Sequence, residues 1–129
     1  MSELRVIRGG DLSGSTAQTS GMQRSAAISG DIVGARELWM GRTVVPAGVS
    51  SGDHHHGESE TGIYVVSGHP EFVFLDDERN ETRIRTSPGD YVFVPPWVPH
   101  REENPHSEPA VVVIARSTQE AIVVSVPAL

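Results

Sequence analysis

The stretch GVSSGDHHHGESETGIYVVSG (residues 48–68) decides how this chain is read. Three consecutive histidines precede TGIYVVSG, whose β-branched and aromatic residues suit a strand, and glycines punctuate both ends. In extended backbone, residues i and i+2 project from one face, so His54 and His56 can aim their imidazoles at one point while His55 faces away. Glu60 shares their parity. A second stretch, GDYVFVPPWVPHREEN (residues 89–104), puts His100 just after a proline-stiffened turn and on a separate strand. Three neutral imidazoles and one carboxylate suit a first-row divalent metal and leave positions open for water or substrate.

Around these segments the chain consists of short β-branched and aromatic runs separated by Gly, Pro, Asp and Asn. Strands are expected near residues 35–45, 61–66, 71–75, 82–85, 91–94, 110–116 and 121–126. Nine Pro and thirteen Gly oppose long helices, and no window carries a sustained helical period. An all-β sandwich or barrel follows. Upstream, residues 4–8 read as a short strand and residues 9–30, rich in Gly, Ser and Thr, as a surface loop. The run DDERNETR (residues 76–83) reads as a hairpin tip.

Composition narrows the function classes. A chain of 129 residues fits one domain, large enough for a core without disulfides. Its net charge of −7 provides no basic footprint for nucleic acid, and no apolar run is long enough to span a membrane. The first ten residues lack the apolar stretch of a secretory signal, so a cytoplasmic location is expected. Zero Cys removes thiolate ligation and thiol catalysis together.

The paired motifs resemble those of the cupin superfamily. Gly48, His54, His56, Glu60 and Gly68 follow the first motif; Gly89, Pro95, His100 and Asn104 follow the second, with Trp97 where the family has Gly. Twenty residues separate the motifs, a short cupin-like span. Counting back from Gly68 places Thr61 at the family's Glu position, whereas counting forward from His56 through three residues places Glu60 there. A β-bulge near Thr61 and Gly62 would reconcile the two counts, and Glu60 is favoured as ligand. Three His plus water, or ligation by Glu58, are the alternatives.

The resemblance implies a double-stranded β-helix, the jelly-roll cupin barrel, spanning residues 35–129, with residues 1–34 as an extended arm packing on the barrel or on a partner. It implies one divalent metal ion (Fe, Mn, Ni, Zn, Cu or Co) bound by His54, His56, Glu60 and His100. It further implies a metal-dependent enzyme of dioxygenase, isomerase or decarboxylase type acting on a small organic molecule. The alternatives are a non-catalytic module binding a small molecule or metal, and a metal that only braces the barrel. A homodimer paired through edge strands and the arm is expected, and metal binding should weaken below about pH 6.

The remaining candidates have plainer readings. His55 is expected near the ligands or at the surface, and His69 and His106 in solvent. Tyr64, Phe72, Phe74, Tyr91 and Phe93 alternate with Val and are expected in the core. Trp97 is expected against the arm, with the barrel mouth as the alternative. Glu102 shares the parity of His100 and is read as a rim ion pair, with the cavity as the alternative. Arg42, flanked in parity by Met40 and Val44, is read as reaching water.

Overall fold

The computed structural model describes residues 3–119 and 121–129. Met1, Ser2 and Glu120 lie outside them, and with Met1 and Ser2 the first two residues of the expected arm. The elements are β1 (Gln23–Ile28), α1 (Gly30–Val33), β2 (Trp39–Val45), β3 (His54–His55), β4 (Thr61–Ser67), β5 (Glu71–Leu75), β6 (Glu81–Arg85), β7 (Tyr91–Val94), β8 (His100–Glu103), β9 (Ala110–Arg116) and β10 (Val124–Ser125). Two five-stranded antiparallel sheets form, ordered β1-β2-β9-β4-β7 and β10-β3-β8-β5-β6. From β2 to β5 and from β6 to β9 the chain changes sheet at every step, which is the jelly-roll path.

Alternation builds the core. Strand β9 buries every second residue, Ala110, Val112, Ile114 and Arg116, and β4 buries Thr61, Ile63 and Val65. Of these, Val112, Ile114, Ile63 and Val65 pack with Ala26, Trp39, Val94 and, from the other sheet, Phe72. Apolar atoms are thereby withdrawn from water between the two sheets, the main term holding such a sandwich together. At the end of β4 the register with β9 shifts between Val65 and Ser67. Gly68 follows with φ of 78°, and a Cβ there would sit 2.7 Å from the Ala110 Cα, so only glycine fits. Among the described residues no helix is long and apolar enough to cross a membrane.

Several expectations are corrected. Residues 4–8 form no strand, whereas the supposed loop of residues 9–30 contains β1, an edge strand of the first sheet. The run at 121–126 shrinks to β10, and residues 35–38 at the start of 35–45 are irregular, with a bend. No bulge occurs at Thr61 or Gly62, since their pairing with Arg116 and Ala115 is in register. On β7 the valines face inward, leaving Tyr91 81% and Phe93 61% exposed.

Candidate metal centre

His54 and His100 are cross-strand partners on β3 and β8, and His56 follows where β3 ends. One ligating nitrogen of each lies within 4.8 Å of the others. Each ring is oriented by its own backbone. His54 Nδ1 bonds the Gly52 carbonyl at 2.9 Å, His56 Nδ1 that of Ile122 at 2.9 Å, and His100 Nδ1 that of Val98 at 3.0 Å. A carbonyl only accepts, so each Nδ1 carries the proton and each Nε2 presents its lone pair. Three fixed tautomers with free, convergent lone pairs fit a metal ion, whose histidine ligands commonly donate their other nitrogen in this way.

The rings also resist protonation. Burial lowers the pKa of His56 to about 3, opposed by its bond to Ile122 and reinforced by His100 and His54. Burial lowers that of His100 to about 4, and that of His54 falls for the same reason. Neutral imidazole is the ligating form.

Glu60 is not brought to this cluster. It is exposed, its N–H donating to Ser117 Oγ at 3.0 Å, and Glu58 is exposed as well. Thr61, 5% exposed, lines the cavity instead. The physical reason is the turn: Gly57 has φ of 55° and Ser59 N–H reaches back to the His56 carbonyl, so parity is not carried from His56 to β4. With four residues between His56 and Thr61, both motif counts meet at Thr61, and a threonine stands where the family has Glu.

The carboxyl in the cavity is Glu102. It is buried, its Oε1 has no partner among the described residues, and burial raises its pKa to about 7 against the opposing pull of Arg24. It is not a rim ion pair. Two arginines line the same cavity. Arg24, inward-facing on β1, donates to the Ala17 carbonyl and Thr19 Oγ1 at 3.2 and 2.8 Å, while its Nε has no partner among the described residues. Arg116 at the end of β9 stacks its guanidinium 4.0 Å above the Trp39 ring and donates to the carbonyls of Thr118 and Gln119. The sequence reading had missed both. In the structure Met22, Arg24 and Ala26 are buried while Gln23 is exposed, an alternation that an arginine and an alanine at the inward positions hide in the sequence.

The family model for the cupin domain matches residues 41–116, more than half of the chain. The chain belongs to the cupin family. The cupin fold is shared with oxalate decarboxylase from Bacillus subtilis (20% identity, TM-score 0.72, covering 84% of this chain and 28% of that one). It is shared with Peruvianin-I, a cysteine peptidase from Thevetia peruviana latex (18%, 0.73, covering 94% and 78%). A structure of oxalate oxidase is also similar (17%, 0.71, covering 87% and 60%). This cupin chain therefore spans less than a third of the decarboxylase, for which Mn(II) centres are described. No curated protein sequence matches it.

The other candidate residues lie outside the cavity of this cupin. His55 is half-buried, its Nδ1 accepting from the Gly57 N–H, with the Trp97 ring 5.8 Å away. Trp97 is exposed, and its ring is tilted by 53° to that of His55. His69 bonds the Thr86 carbonyl, and His106 pairs with Glu71 at 3.0 Å, so neither is merely solvated. Arg42 is exposed, as expected.

Proposed function

We propose that this cupin is a metal-dependent enzyme acting on a small organic anion, with one divalent transition-metal ion held by His54, His56 and His100. The observation that carries this reading is Glu102, a buried carboxyl that lines the same cavity as the three histidines and whose Oε1 has no partner among the described residues. A metal that only braced a barrel has no use for such a group, because its burial costs stability. Fe, Mn, Ni, Zn, Cu and Co all suit an imidazole set. A bound ion supplies Lewis acidity or, where redox-active, a site for O₂.

The chain's own residues do the rest. Arg24 and Arg116 supply fixed positive charge that binds and orients a carboxylate or enolate. Glu102, poised near neutrality, holds a proton at a carboxyl oxygen and exchanges it with the organic molecule. Thr61 contributes a hydroxyl to the lining, and Glu60 takes no part.

The test begins with elemental analysis of protein purified without an affinity tag, followed by O₂-uptake and CO₂-release assays on small organic acids. About one metal per chain is expected, with turnover falling roughly 10²–10⁴-fold in Glu102→Gln while the metal is retained. Bound metal with no turnover of any acid would leave the non-catalytic binding module in its place.

Assembly as a homodimer belongs to the same reading. The outer face of the first sheet carries Tyr91 and Val66, both exposed, and Tyr64, whose ring packs 4.8 Å from that of Tyr91. An apolar surface of this kind favours a second copy.

A further inference from the structure

Two cavities share walls at the histidine cluster. The inner one, between His54, His56, His100, Glu102 and the two arginines, has a volume of about 30 Å³. The outer one, of about 370 Å³, is lined by Phe74, Ile84, Val92, Phe93 and Val98. Phe72 and His100 border both. The outer cavity is bounded by β7 and β6, the last strands of their sheets, so no neighbouring strand covers it. Ile84 and Phe93 are accordingly 40% and 61% exposed.

We propose that the substrate is an organic acid with an apolar body, a single ring or a short alkyl chain, lying in the outer groove with its carboxylate directed past His100 into the inner cavity. This rests on the metal-enzyme reading above. The inner cavity is more than tenfold smaller than the outer one, so the bulk of any larger substrate lies outside it. The groove is at the lower end of the range for small-molecule sites, roughly 300–1,000 Å³, and its walls are chiefly aliphatic and aromatic.

Charge sets the orientation. At the groove's rim stand Asp76 and Asp77. The Asp76 carboxylate is fixed there by the N–H groups of Glu78 and Asn80 at 2.9 and 2.8 Å, and it repels an anionic head. At the inner end Arg24 and Arg116 attract one. A short dicarboxylate gains nothing from the groove, whereas each apolar carbon placed in it adds affinity.

The test is calorimetric titration of the full chain, as purified and after metal removal, with acetate, hexanoate and benzoate. Hexanoate and benzoate should bind about tenfold tighter than acetate or better. Ile84→Asn and Phe93→Asn, at exposed positions where folding is checked by circular dichroism, should each shrink that ratio while leaving acetate affinity and metal content unchanged. Equal affinity for the three acids, or a ratio that survives both substitutions, overturns the proposal. The metal is read separately: metal present without the apolar preference defeats the groove alone. The preference without bound metal defeats the metal-enzyme reading alone.

Discussion

His56 and His100 owe their neutrality to burial, and Glu102, two residues from His100, owes its raised pKa to the same cause acting on the opposite charge type. Their effects on the stability of the metal-stripped protein run in opposite directions. The histidine pKa values are depressed from 6.5, so their contribution is present above that pH and lost as pH falls towards 4 and then 3. The Glu102 pKa is raised from 4.5 to about 7, so its contribution is present below 4.5 and lost as pH rises to about 7. Denaturant unfolding of the stripped protein should therefore show Glu102→Gln gaining on the parent between pH 4.5 and 7, by on the order of 3 kcal/mol; a constant difference across that window refutes the assignment. Bound metal gives a second residue-level test. His100→Ala should fall well below one metal per chain while Glu60→Ala keeps its metal, and loss in Glu60→Ala would bring that carboxylate back as a ligand.

At the scale of elements, the strands that could be read from sequence are those whose inward positions carry large apolar residues, such as β5 and β9. Strand β1 was lost because its inward positions hold Arg24 and Ala26, so its period of two does not stand out against the small polar residues around it. The histidine cluster was legible because β3 is short and extended. The carboxylate was not, because the turn at Gly57 breaks the parity on which the count to Glu60 relied. The second motif's turn departs from the family differently: Trp97 keeps φ at 67°, the left-handed region that the family's Gly occupies freely. Its N–H donates to the Gly57 carbonyl at 2.8 Å, tying this turn to the one beside the ligands. Trp97 is 65% exposed and buries little, so Trp97→Gly should leave the unfolding midpoint unchanged or raise stability by up to about 1 kcal/mol, with metal retained. Trp97→Val, β-branched at positive φ, should lower it. Equal midpoints for the two variants would show that the backbone here is unstrained.

For the whole molecule, the two faces of the sandwich are unlike. The outer face of the second sheet is charged: Arg101 pairs with Asp53, Glu81 and Glu103, and Arg83 with Glu71 and Glu103. Such a network, partly exposed and fully paired within the chain, suits contact with water. The outer face of the first sheet instead presents Tyr64, Val66 and Tyr91, with Val111 and Val113 of β9 in the same half-exposed layer. Arg42 is also exposed there, beside Val113, but the strands present no carboxylate; because the chain carries a net charge of −7, two copies repel at long range, so association favours a face free of negative charge. The first sheet supplies one. Sedimentation analysis should therefore give a dimer for the parent and a monomer for Tyr91→Glu combined with Val66→Glu. The double variant should keep its metal, since neither residue lines the histidine cavity. A dimer that survives the double substitution places the interface elsewhere, and a monomeric parent removes the homodimer altogether.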